Sequence, residues 1–148
     1  MFRWTLAACL TIALVSCTSE NPMTTQAEAV NRVEELIRKT ADTLRPPPKL
    51  ELIPYTVTPN PCAFSADGVP ERYTVNRAYW LRGVPTDQLK RVADQVKAHW
   101  LAEGHVITAS GRAGHPDLAG VSHPDNYTLA LVWAEGGSLY LAATSPCL

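Results

Sequence analysis

Two His-Pro-Asp triplets, His115-Pro116-Asp117 and His123-Pro124-Asp125, occur in one stretch between Gly114 and Asp125. Imidazole and carboxylate groups bind Zn²⁺ or Cu²⁺, and two triplets could bring four of them together. His115, Asp117, His123 and Asp125 are therefore candidate metal ligands. Pro and Asp also make turns, and His is tolerated at a loop surface, so turn chemistry explains the same residues without a metal. A long loop is a poor frame for a metal site, and the expectation is that no cofactor is bound. Ser110 or Ser122, with His115 or His123 and Asp117 or Asp125, supplies the residue types of a hydrolytic triad. No Gly-x-Ser-x-Gly elbow accompanies them and nothing indicates an oxyanion hole. Glu51, Glu71, Glu103 and Glu135 fall near element ends, in no pattern that pairs two carboxylates as a glycosidase needs. No Gly-rich phosphate loop is present. The chain reads as a protein that is not an enzyme.

The cysteines carry more information. There are four: Cys9, Cys17, Cys62 and Cys147. Arg3 is the only charged residue before Cys17, and Trp4 to Val15 is a run of apolar or small residues. That run matches the core of a signal peptide and is shorter than the roughly 20 apolar residues that span a bilayer. It ends in Leu14-Val15-Ser16-Cys17, the lipobox pattern. A thiol is needed at Cys17 to accept diacylglycerol, and a small residue such as Ser16 suits the peptidase that cuts before it. Residues 1–16 are thus expected to be a signal peptide, Cys17 a lipidation site and residues 17–23 a lipidated tether. The expected location is the extracytoplasmic side of a cell membrane. Two acyl chains at about 0.8 kcal/mol per buried CH₂ hold firmly where one does not. Cys62 and Cys147 then remain in a compartment that permits disulfides, and only one intramolecular pair can form. No CxxC and no neighbouring His suggests a redox or metal role for either.

Residues 24–148 are long enough for one domain with one core. The formal net charge is −1 and no block of one sign occurs, which argues against a nucleic-acid partner or a polybasic lipid-binding patch. Thr25 and Glu28 have capping-box spacing at the start of a helix running to about Leu44, with Val30, Val33, Ile37 and Ala41 on one face. Arg45-Pro46-Pro47-Pro48 stops it. Leu50–Thr58 and Glu71–Gly83 alternate as strands, with turns at Asn60-Pro61-Cys62 and Ser65–Gly68 between them. Thr86 caps a second helix whose stripe is Leu89, Val92, Val96 and Trp100, and Gly104 closes it. His105–Arg112, Asn126–Ala134 and Ser138–Thr144 read as strands, the last two joined by Glu135-Gly136-Gly137. Residues 113–124 read as a loop. The predicted fold is α+β: a two-layer sandwich of two amphipathic helices on a mostly antiparallel five-stranded sheet, in the order αββαβββ.

The lipobox, a helix ending at Leu-Arg-Pro-Pro, the Pro61-Cys62 turn, a helix closing in His-Trp-Leu-Ala-Glu-Gly-His and a C-terminal Thr-Ser-Pro-Cys together resemble a group of uncharacterised actinobacterial lipoproteins. The resemblance covers most of the chain after Cys17. It implies the same fold and disulfide and transfers no catalytic residue.

Trp80 and Tyr140 lie opposite the expected core face of their strands. If the outer sheet face is partly apolar, they mark the surface expected to bind a partner, such as an envelope protein. A membrane-tethered binding module is accordingly the first functional expectation. A small-ligand or metal carrier using the His115–Asp125 loop is the second, and an envelope hydrolase the third. Metabolic palmitate labelling tests the anchor: wild type takes up label and Cys17→Ser does not, and equal labelling of both would remove the lipoprotein reading.

Overall fold

The computed structural model describes residues 24–148. The expected signal peptide, Cys17 and the tether lie outside them. The fold is mixed α+β, with two helices, a six-stranded antiparallel sheet and a separate two-stranded sheet. In chain order the elements are helix α1 (Gln26–Asp42), strands β1 (Lys49–Leu52), β2 (Asn60–Phe64), β3 (Pro70–Thr74) and β4 (Asn76–Arg82), helix α2 (Leu89–Ala102), and strands β5 (Val106–Ser110), β6 (Leu118–Val121), β7 (Thr128–Ala134) and β8 (Ser138–Thr144). The large sheet runs β1-β4-β8-β7-β6-β5 and the small one pairs β2 with β3. Among the described residues no helix is long and apolar enough to cross a membrane.

Helix α1 begins with the capping box expected from the sequence. The Thr25 backbone N–H donates to the Glu28 carboxylate at 2.7 Å, and the Glu28 N–H donates to the Thr25 hydroxyl at 3.2 Å. Both helices pack on one face of the large sheet. Val33, Leu36 and Ile37 of α1 and Val92, Val96 and Trp100 of α2 meet Tyr79, Leu81, Leu129, Leu131, Leu139 and Leu141 in one core. Strict alternation in β7 and β8 sends Leu129, Leu131, Leu139 and Leu141 inward and leaves Ala130, Val132, Tyr140 and Ala142 half-buried on the other face.

Trp100 joins three elements. It is 2 % exposed, and its indole N–H donates to the Thr40 hydroxyl of α1 at 3.0 Å. The Thr40 hydroxyl in turn donates to the Leu36 carbonyl at 2.8 Å, so both polar groups are satisfied inside the core. The ring lies against Gly120 of β6. A Cβ there would come within 3.3 Å of the indole and 2.9 Å of the Val106 carbonyl.

The strand expectations need correction in four places. The sheet has six strands rather than five, because residues 118–121, read as part of a loop, form β6. The expected strand Leu50–Thr58 ends at Leu52. Pro54 turns the chain into a 3-10 turn over Pro54–Val57, whose Thr56 hydroxyl takes the Ala78 N–H at 3.1 Å. The expected strand Glu71–Gly83 is two strands in different sheets. At Val75 the backbone changes partner, its N–H donating to the Ser145 hydroxyl at 2.9 Å and its carbonyl accepting from the Ser145 N–H at 2.8 Å. Finally Asn60-Pro61-Cys62, read as a turn, lies in β2. Its pairing with β3 is irregular beside Pro61, which cannot donate to a ladder. At the second helix, Thr86 opens a 3-10 turn rather than capping, and α2 proper starts at Leu89 without a side-chain cap.

The disulfide inferred from cysteine counting is present. Cys62 of β2 is bonded to Cys147, with Cα atoms 5.9 Å apart and a sequence separation of 85. Two backbone hydrogen bonds between Tyr73 and Leu148 tie the same end of the chain to β3. The small sheet is held to the domain largely through these links. Replacing both cysteines (Cys62→Ser with Cys147→Ser) removes a cross-link that contributes about 4 kcal/mol in the chain-entropy account. Urea denaturation is expected to show that loss, with the β2–β3 hairpin the first region to lose hydrogen-exchange protection.

Candidate functional site

The outer face of the large sheet is the side that the two helices leave uncovered. Its centre is a cross-strand pair, Trp80 of β4 opposite Tyr140 of β8. The rings meet edge to face, with centroids 5.4 Å apart and planes at 86°. This geometry aligns ring quadrupoles favourably and is worth about 0.5–1.5 kcal/mol beyond area burial. Arg82, two residues along β4 on the same face, sets its guanidinium 5.0 Å from the Trp80 ring centroid. Glu51, opposite Trp80 on β1, accepts from Arg82 at 3.1 and 3.2 Å and fixes that guanidinium. The Arg82 contact also holds the Glu51 carboxyl below its ordinary range. Burial raises the Tyr140 hydroxyl above its ordinary value, and the neighbouring Tyr55 and Asp117 add to the effect.

Beside the aromatic pair the face is built from small apolar residues. Ala130, Ala142 and Val132 follow Tyr140 across β7 and β8, and Ala119 of β6 stands opposite Ala130. Short side chains leave a shallow apolar depression of about 280 Å³, floored by Ala109, Ala119, Ala130 and Val132. Tyr55, on the turn after β1, is 80 % exposed. Sequence reasoning missed Tyr55 because it placed that residue inside a strand. Pro54, which cannot donate to a strand ladder, is the signal that could have found it.

The His-Pro-Asp segment makes structural contacts. Its two triplets serve separate structural ends. Asp117 accepts the Trp133 backbone N–H at 2.8 Å, and the His115 ring packs against the Trp133 ring at 5.0 Å. Asp125 accepts from Arg32 of α1 at 2.6 Å and from the Ser122 hydroxyl at 2.5 Å. The Ser122 hydroxyl also receives the Tyr127 N–H at 2.9 Å and is 1 % exposed, so it clamps a turn and cannot meet a substrate as a nucleophile. No hydrogen bond joins either Ser110 or Ser122 to His115 or His123. Ser110 is paired with Leu118 at the end of β5. Among the described residues no group of three or more His, Cys, Asp or Glu side chains is placed to hold a metal ion. Of the four carboxylates considered above, Glu51 is spent on Arg82, Glu71 stands on β3, Glu103 ends α2 and Glu135 lies in the β7–β8 hairpin.

The buried histidine is His105, which carries no motif that would single it out. It is 8 % exposed, and its Nδ1 accepts the His123 backbone N–H at 3.2 Å. Only the neutral imidazole can accept at that nitrogen. Burial, reinforced by the Arg32 charge, holds its pKa below the ordinary 6.5. Burial works against the Asp125 charge, but the Arg32 and Ser122 hydrogen bonds prevail and hold its carboxyl below the ordinary 3.8.

Comparison with protein families, with curated proteins and with solved structures finds no match to this chain.

The His105 and Asp125 shifts fix the sign of the pH response. A depressed folded pKa contributes stability that is complete above the unfolded value and is lost as pH falls through the folded one. For His105 the loss begins near 6.5 and proceeds downward; for Asp125 it begins near 3.8. His105→Gln is expected to flatten the fall in melting temperature just below pH 6.5. Asp125→Asn is expected to cost about 1–2 kcal/mol at neutral pH, since it weakens hydrogen bonds to a charged group, and to flatten the acid limb.

Proposed function

We propose that this chain is an extracytoplasmic lipoprotein whose domain is a binding module of the cell envelope, presenting the outer sheet face around Trp80 and Tyr140 to a protein partner. The anchor rests on the sequence from Arg3 to Cys17. The observation that carries the binding role is the outer face itself: an ordered aromatic pair, a fixed arginine and an apolar depression on the side of the sheet that neither helix covers.

The chemistry of that face suits protein recognition. Trp, Tyr and Arg are the residue types that dominate binding energy at interfaces. Here their rotamers are held before any partner arrives, Trp80 by Tyr140 and Arg82, and Arg82 by Glu51. Preorganisation lowers the entropic cost of association. The salt bridge at the rim leaves charge available for selecting among partners.

Cross-linking in intact cells followed by mass spectrometry tests the reading. One envelope protein is expected repeatedly on the wild-type chain and is expected to be lost from Trp80→Ala and from Tyr140→Ala. Both positions are half-buried on the outer face, so the variants are expected to keep the fold, checked by thermal melting. Retention of the same partner by both folded variants would move the binding surface elsewhere.

A further inference from the structure

A second feature lies at the other end of the strands, where α1 begins. An open groove of about 960 Å³ runs between the first turn of α1, β3 and the segment after β8. That volume falls within the range of small-molecule sites. Its apolar surface comes from Tyr127, Pro146 and Leu148. Tyr127 is only 5 % exposed, and no hydrogen bond joins its hydroxyl to a described residue. Nor is that oxygen sealed in the core: among the described residues, the buried side-chain oxygen or nitrogen without a partner is that of Gln88. A largely buried ring whose hydroxyl reaches the groove can donate one hydrogen bond to a ligand there.

Two cations and three carboxylates line the groove, and most already have partners within the chain. Arg32 is committed to Asp125 at 2.6 Å, Glu28 is committed to the α1 cap, and Arg72 donates to the Cys147 carbonyl. Glu71 lies beside Arg72. No concentrated field of one sign is left to attract a polyanion, so an apolar body with a small polar junction fits better. Thr24 itself lines the groove, and only six residues separate it from Cys17. They reach at most about 20 Å. An anchor at Cys17 therefore holds the groove at the membrane surface, where acyl chains are the abundant apolar ligands.

We infer that this groove takes up one acyl chain of a membrane lipid, the Tyr127 hydroxyl donating to the carbonyl at which the chain joins its headgroup. The inference rests on the proposed anchor for its choice of lipid as the ligand. It is distinct from the outer-face role, which lies on another part of the domain.

The test uses the full chain carrying Cys17→Ser, which bears no acyl group of its own. Phosphatidylcholine vesicles containing a self-quenched, acyl-labelled fluorescent phosphatidylcholine report transfer as an increase in fluorescence. Saturable transfer of one lipid per chain is expected, weakened about 2- to 10-fold by Tyr127→Phe, the range for loss of one hydrogen bond. Leu148→Glu is expected to abolish it and Trp80→Ala to leave it unchanged, with melting temperature as the check on folding. The same lipid bearing a mid-chain diazirine is expected to label the peptides containing Tyr127 or Leu148, which keeps the test decisive if Leu148→Glu does not fold. Absence of transfer, or transfer indifferent to both groove variants, overturns the inference. Labelling confined to residues around Trp80 does so too. Uptake of free palmitate without uptake of the vesicle lipid overturns the assignment to a membrane lipid. Because the tested chain lacks the anchor, these results are independent of palmitate labelling at Cys17, and either reading can fail alone.

Discussion

The arrangement of this domain depends on one indole. Trp100 fills the space between α2 and β6, and its N–H reaches across to Thr40 of α1. A large side chain placed there commits both helices to the same face of the sheet. It also demands glycine at position 120, since a side chain on that strand would collide with both the ring and the β5 backbone. With the helices gathered on one side, the opposite face must be made of residues that tolerate water. Alanine, valine, threonine and a few ordered aromatics meet that requirement, and the candidate binding surface is the direct result.

Polar groups inside the fold are treated with the same economy. Thr40, Thr56, Ser122 and Ser145 are all buried; the Thr40 hydroxyl takes the Trp100 indole N–H, and the other three each take a backbone N–H. Ser145 lets one strand leave the large sheet and become part of a small one. Ser122 and Asp125 hold a tight turn against α1 through Arg32. Asp117, Ser122 and Asp125, residue types that a hydrolytic triad would use, here serve as joints of the scaffold.

Much of this was legible in the sequence, and the parts that were not share a physical cause. Helix positions, the capping box at Thr25 and the hairpin at Gly136-Gly137 follow from local rules, because the signals lie within a few residues of one another. The disulfide followed from counting. The placement of Trp80 and Tyr140 on one face followed from the two-residue period, although their mutual contact depends on β4 pairing with β8, which no local rule supplies. The missed strand at 118–121 is four residues long, sits among glycines and prolines, and owes its glycine to a helix far away in sequence. The false continuity through Val75 arose because alternation persists while the hydrogen-bond partner changes. The groove beside Tyr127 is assembled from α1, β3 and the segment after β8, so no stretch of sequence contains it.

The register of β4 also sets a height. Val75, where the chain leaves the small sheet for the large one, and Trp80 are five residues apart along the chain, a rise of about 17 Å at roughly 3.4 Å per residue. On the proposed anchor, with a tether of about 20 Å, the aromatic pair would stand on the order of 40 Å from the lipid. A partner lodged in the same membrane would meet this surface within a thin shell rather than in a volume. Confinement of that kind would raise effective concentration without any added contact, so that on the proposed anchor a small patch of modest intrinsic affinity would hold a partner on the membrane and release one that has left it.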